Sequence, residues 1–168
     1  MPDADTLHGR VQRVKDGDTV VVTTGSDTVT VRVWGIDAPE TGQPYGPAAT
    51  KGARQLIGGE RVRVHVQDTG PYGRYIARVQ IETEDGPVDL AQSLVVSGLA
   101  WHSRRYATSE ALVQCEEEAR SEGAGLWSQN DPTPPWEFRR ADQPPSVWDS
   151  IKKGLRWGRW ISRLMRRL

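Results

Sequence analysis

Strict residue alternation in the first third of the chain, a helix signal between the third and fourth alternating stretches, and two more helix signals after the fifth predict the fold class. It is α+β and mainly β: a five-stranded barrel of the OB type with about three packed helices, plus a separate C-terminal amphipathic helix. The chain has 168 residues, enough for one domain with a short appendage. Counting glycine and leaving out tyrosine, about 44% of residues are apolar, which excludes a largely disordered chain.

The segment from Thr6 to Asp37 reads as three antiparallel strands. Val29, Val31 and Val33 fall on one face and Thr30, Arg32 and Trp34 on the other, and the Gly25-Ser26-Asp27 break supplies a hairpin turn before them. From Pro47 the period changes. Ala49, Ala53, Leu56 and Ile57 sit at helical spacing and the Gly58-Gly59 pair stops the run, so a short helix is expected there. Val62, Val64 and Val66 then alternate with Arg61, Arg63 and His65, and Tyr75, Ala77, Val79 and Ile81 repeat the pattern, which brings the count to five strands. The stretch from Val88 to Ala100 predicts a second helix ended by Gly98. A third follows, with Ser109 as cap and Gly123 or Gly125 as stop.

After Trp127 the composition shifts, and five of the eleven prolines crowd into positions 128–146 without helical periodicity, so this stretch is expected to be an extended linker. The organisation is therefore a domain over 1–130, a Pro-rich linker over 131–146 and a basic amphipathic helix over 147–168. In that last helix Lys152, Lys153, Arg156, Arg159, Arg163, Arg166 and Arg167 share one side, and Trp157, Ile161, Leu164, Met165 and Leu168 the other.

A formal charge of zero, from 22 basic and 22 acidic residues, argues at first against a polyanionic partner. The zero conceals a sorting. Seven basic residues against Asp149 alone give the last 22 positions +6, while 15 basic and 21 acidic residues give positions 1–146 a charge of −6. Cys115 is the single cysteine, which excludes an internal disulfide or a Cys-rich zinc site, and it is expected at a half-buried helix position. The first residues carry acids and no apolar h-region, and no stretch approaches a spanning helix. A cytoplasmic monomer is expected, with peripheral membrane association through 147–168 as the alternative.

Chemistry concentrates in three short segments: Asp16-Gly-Asp-Thr19, Val31 to Thr41, and Tyr72-Gly-Arg74. Asp18 stands at the start of the second strand and Asp37 at the end of the third, and in a hairpin those ends are neighbours. Carboxylates held together repel, and a hard cation with oxygen ligands is the usual compensation. Arg32 and Arg74 supply guanidiniums suited to bidentate phosphate contact. Taken singly, each motif also has an ordinary reading, Asp-Gly as a turn signal and the arginines as solvated strand residues.

The ordered set DGDTV (16–20), R-x4-D-x-P-E-T (32–41), YGR (72–74) and GLA (98–100), then a helix and the Gly125-Leu-Trp127 that follows it, resembles the staphylococcal nuclease (thermonuclease) family over about Leu7 to Trp127. The resemblance implies an OB-fold and a Ca²⁺-dependent nuclease that cleaves the P–O5′ bond of single-stranded DNA or RNA, leaving 3′-phosphates. It implies that Asp18 and Asp37 bind the metal together with the backbone carbonyl of Ala38, where well-known members carry threonine. It also implies that Glu40 acts as general base on the attacking water, that Arg32 and Arg74 contact the phosphate, and that Tyr72 and Tyr106 face the nucleotide. The acid that commonly stands two residues before the Tyr-Gly-Arg is Gly70 here, and the loop between Glu40 and Tyr45 is short.

His8, His65 and His102 show no ligand spacing and are expected at the surface or partly buried, and Glu116 to Glu118 are expected on a solvated helix face. Two functional alternatives stand beside the nuclease. One is a catalytically weak or inactive module of the same family that binds nucleic acid or a protein. The other is a domain held by its C-terminal helix, whose mixture of cations and tryptophans suits an anionic membrane surface, nucleic-acid phosphates or a partner protein.

Overall fold

The structure is a computed structural model that describes residues 6–105 and 107–141. Residues up to Pro135 form one compact unit, and Trp136 to Ala141 belong to a second. Within the first, β1 (Thr6–Val14), β2 (Thr19–Thr24), β3 (Asp27–Val33), β5 (Arg61–Thr69) and β6 (Tyr75–Thr83) form the sheet order β3-β2-β1-β5-β6. A parallel pairing of β3 with β6, Val31 opposite Tyr75 and Val33 opposite Ala77, closes the five strands into a barrel of the OB type. The expected α+β, OB-type barrel is what the described residues adopt.

The alternation explains the barrel. Val22, Val31, Val64 and Ala77 are fully excluded from solvent, and the small side chains that the sequence places at every second position fill a narrow interior. Bulges between Val11 and Arg13 and between Val66 and Asp68 bend β1 and β5, giving the curvature that closure needs.

Three helices cover the barrel unit. In α1 (Gly46–Ile57), Pro47 occupies the first turn, Ala49, Ala53 and Ile57 are buried, and Gly58 caps the end. Asp89 accepts from Gln92 N–H to start α2 (Leu90–Val96), and Ser109 accepts from Leu112 N–H to start α3 (Glu110–Glu122), which Gly123 ends in the left-handed conformation. The glycines of the GLA and GLW segments have a shared reason. A Cβ on Gly98 would lie 2.1 Å from the Ala124 carbonyl oxygen and one on Gly125 would lie 2.3 Å from that of Gly98, so the two turns pack backbone on backbone.

Sequence periodicity does not show β4 (Ile36–Asp37) or β8 (Trp101–His102), a two-residue antiparallel pairing, nor β7 (Gly86–Asp89), which forms a hairpin with β6. β7 takes Val88 and Asp89, which sequence assigned to the second helix. A second correction concerns α4 (Pro135–Ala141), inside the stretch expected to be extended. Pro135 at the first helical position, Glu137 in the first turn and Arg139 and Arg140 in the last favour that short helix despite the flanking prolines. The C-terminal helix expected over 147–168 lies outside the described residues. No helix among the described residues is long and apolar enough to cross a membrane.

Candidate functional site

The site forms where the entrance to β2 meets the exit from β3. Thr19 lies directly opposite Arg32, and the Asp18 carbonyl accepts the Val33 N–H at 2.8 Å, so strand pairing fixes both motifs at one end of the barrel. The Asp16-Gly17 turn places Asp18 by an Asx bond, Asp16 Oδ1 accepting the Asp18 N–H at 3.1 Å. A Cβ on Gly17 would come within 2.5 Å of the Ala38 Cβ, so the turn needs glycine to lie against Ala38. β8 holds β4 from the other side, with Trp101 opposite Asp37 and His102 opposite Ile36.

These constraints bring Asp18, Arg32, Asp37 and Ala38 together. Arg32 Nη1 donates to Asp18 Oδ1 at 2.8 Å and Nη2 to Asp37 Oδ1 at 2.7 Å, one guanidinium bridging two carboxylates. Asp18 Oδ1 also accepts the Thr19 hydroxyl at 3.0 Å, and its Oδ2 accepts the Ala38 N–H at 2.9 Å. Both aspartates are buried, 3% and 4% exposed. Burial pushes the Asp18 carboxyl from 3.8 up to about 7 against the pull of Arg32, with Asp16 and Asp37 adding to the rise and the Ala38 N–H opposing it. For Arg32, burial alone lowers the pKa, but Asp18 and Asp37 outweigh it and hold the guanidinium above its ordinary value.

The remaining predicted residues stand around this centre. Glu40 follows β4 on a loop, its N–H donating to Gln43 Oε1 at 3.2 Å. Arg74 comes just before β6; since Arg32 pairs with Ile76, the two arginines leave neighbouring strands two register positions apart. The Arg74 Nε is buried without a hydrogen-bond partner. Tyr72 is fully exposed in the left-handed conformation at φ 62°, at the tip of the turn that delivers Arg74. Tyr106 lies outside the described residues. An open cleft of about 410 Å³ between His102 and Glu117 is lined by none of Asp18, Arg32, Asp37, Ala38, Glu40, Tyr72 and Arg74, so shape alone does not point to that centre.

Two nearly buried carboxylates bridged by one guanidinium are a hard-oxygen donor set, which fits a divalent cation such as Ca²⁺ or Mg²⁺. Among the described residues no group of three or more His, Cys, Asp or Glu side chains gathers to hold an ion. Asp18 and Asp37 would therefore need backbone carbonyls, water or substrate oxygens to complete a coordination shell.

Residues 30–129 match the family of staphylococcal nuclease homologues. The chain belongs to the staphylococcal nuclease family. Curated relatives agree. It is 40% identical over 133 residues to an uncharacterized endonuclease of Escherichia coli O157:H7, covering 79% of this chain and 85% of the relative. It is 34% identical over 144 residues to a micrococcal nuclease of Shigella flexneri, covering 82% and 83%. A probable staphylococcal-like nuclease of rice is 34% identical over 122 residues, 73% of this chain and 32% of that longer protein.

Within this family member, sequence reasoning missed Gln43 and Glu116. Gln43 is 4% exposed and braces the Glu40 loop, its amide donating to the Thr133 carbonyl; a glutamine between Gly42 and Pro44 carries no spacing signal. Glu116 corrects the expectation of a solvated face. It is 2% exposed, accepts the His102 N–H at 3.1 Å and faces Arg104 and Arg120, while its neighbours Glu117 and Glu118 are exposed. His102 is likewise fully buried, with Nε2 3.0 Å from the Ala107 carbonyl, and Cys115 is half-buried as expected.

Proposed function

We propose that this protein is a calcium-dependent nuclease that hydrolyses the P–O5′ bond of DNA or RNA and leaves 3′-phosphates. The observation that supports it best is the Arg32 bridge between Asp18 and Asp37, because it puts each of two carboxylates suited to a cation within hydrogen-bond length of one guanidinium suited to phosphate. Family membership supplies the reaction class.

In this reading Asp18, Asp37 and the backbone carbonyl of Ala38 hold the ion. A bound divalent cation would supply Lewis-acid polarisation of the scissile phosphate. Arg32 and Arg74 take the non-bridging oxygens, and their planar forks suit the charge that grows there as water attacks in line. Glu40 accepts a proton from the attacking water as the P–O5′ bond breaks, and the departing O5′ takes up a proton from solvent. Tyr72, exposed two residues from Arg74, stands near the nucleotide's phosphate in this reading, and Tyr106 offers the base or sugar a stacking surface without regard to sequence.

The domain over 1–130 carries this chemistry, and the +6 segment over 147–168 supplies the long-range attraction that a −6 domain lacks. Purified protein should degrade single-stranded DNA with Ca²⁺ and stop on chelation. Asp18→Ala and Arg74→Ala should each lose several orders of magnitude. Strong activity in either variant overturns the assignment, and binding of single strands without Ca²⁺-dependent turnover leaves a nucleic-acid-binding module instead.

A further inference from the structure

We propose that the outer face of β1, β5 and β6 is a second nucleic-acid contact surface, an extended track for the phosphates of a single strand leading away from the catalytic centre. The proposal rests on the nuclease reading for its substrate and on the following geometry for its place.

Inward residues of these strands, among them Val62, Val64 and Val79, fill the barrel, so their alternates face outward. Those alternates include four arginines and two histidines beside Thr6, Ile76, Gln80 and Glu82. Arg10 lies directly opposite Arg61 across the β1–β5 pairing, His8 lies opposite Arg63, and His65 opposite Arg78 across β5–β6. Like charges directly opposed weaken a sheet, so the Arg10–Arg61 pair works against folding, and a polyanion laid across it relieves the repulsion. Glu82 answers part of the charge, 3.6 Å from Arg63 and 3.4 Å from His8. Among the described residues Arg10, Arg61 and Arg78 have no carboxylate partner. In a segment whose formal charge over positions 1–146 is −6, four arginines on one face are a concentration against the trend.

Two features identify the occupant as a single strand and connect it to the centre. The Arg78 guanidinium lies 4.4 Å from the ring centroid of Trp34, an arginine-on-aromatic pair of the type that accepts both phosphate and base. Trp34 itself follows β3 two residues after Arg32 and donates its backbone N–H to Ala77 in β6. On that strand, a Cβ on Gly70 would lie 3.4 Å from both Arg74 Nε and Ile76 Cδ1, so these two side chains share a side, and Arg78 is next in the outward alternation. Arg74, just before β6, and Arg78 within it are thus about 13 Å apart along the extended backbone, too far for one phosphate but within reach of separate phosphates of one strand.

The test uses the full chain and the triple variant Arg10→Gln, Arg61→Gln, Arg78→Gln. Binding of a labelled 30-nucleotide single strand in chelator is followed by anisotropy over a salt series. Cleavage with Ca²⁺ is measured on the same strand and on a dinucleotide. The expected result is a loss of tenfold or more in affinity, a salt slope smaller by about 2, a KM on the long strand raised by a similar factor, and unchanged kinetics on the dinucleotide. An unchanged salt slope, or equal losses on long and short substrates, overturns the proposal. Loss of binding to phosphatidylserine vesicles with binding to the strand intact would also overturn it and assign the face to a membrane. If the unaltered chain cleaves neither substrate, the nuclease reading fails while the anisotropy series still decides the face.

Discussion

Asp18 and Asp37 share one counter-charge: the two terminal nitrogens of Arg32 donate to them at 2.8 and 2.7 Å. Removing the guanidinium leaves two carboxylates, each under 5% exposed, without the cation that bridges them. Arg32→Ala should therefore lose about 3–5 kcal/mol of stability in chelator, the range for a broken buried pair. Arg32→Lys should also lose stability, because one ammonium does not reproduce a two-nitrogen bridge. Urea unfolding measures both. If Asp18 and Asp37 bind Ca²⁺, adding it should restore more stability to Arg32→Ala than to the unaltered chain.

The Asp18 carboxyl, raised by burial to about 7, links stability to pH. Its folded pKa lies above the ordinary 3.8, so the fold favours the protonated form. The cost of ionising it is absent below the ordinary pKa, grows as pH rises, and is complete above about 7. Asp18→Asn never carries that cost. In chelator this variant should melt several degrees above the unaltered chain at pH 8, with the advantage shrinking steadily towards pH 5; an advantage that grows on acidification would contradict the burial argument.

How much of this was legible in the sequence follows from which forces are local. The five barrel strands and the caps Asp89, Ser109 and Gly123 rest on alternation, short side-chain bonds and backbone conformation, all within a few residues; of these caps, sequence named Ser109 and Gly123. Asp18, Arg32 and Asp37 were legible because hairpin pairing brings a strand entrance beside a strand exit. The β4–β8 pairing was not, because two residues leave no periodicity and the partner lies at the far end of the unit in sequence. Glu116 was hidden for a related reason. Three consecutive glutamates look solvated, and only the packing of α3 against β8 selects the first of them for burial.

Gly70 leaves a specific gap. Arg74 Nε is buried without a partner, and the position where family members commonly carry an acid is glycine in an extended conformation that any residue adopts. A Cβ there would stand 3.4 Å from that Nε, so Gly70→Asp brings a carboxylate within reach without backbone strain. It should raise stability by about 1 kcal/mol, the net value of a hydrogen bond to a charged group at a partly exposed site. Thermal unfolding checks it, and a fall in melting temperature would show that the turn cannot accept the side chain.

Glu116 connects α3 to the candidate centre through the backbone. Its Oε1 accepts the N–H of His102, His102 pairs with Ile36, and the adjoining Trp101 pairs with Asp37. Arg104 and Arg120, on the other carboxylate oxygen at 3.5 and 3.4 Å, have side chains 66% and 49% exposed and can turn to water when the charge is lost. The larger penalty of truncation then comes from the buried amide of His102, left without an acceptor. Glu116→Ala should cost about 1–3 kcal/mol for that orphaned donor, while Glu116→Gln, which keeps an oxygen in place, should cost clearly less. Because the same pairing positions Asp37, the order should repeat in Ca²⁺ titrations, with Glu116→Ala binding more weakly than Glu116→Gln. Equal Ca²⁺ affinities in two variants of different stability would show that β4 holds Asp37 without help from α3.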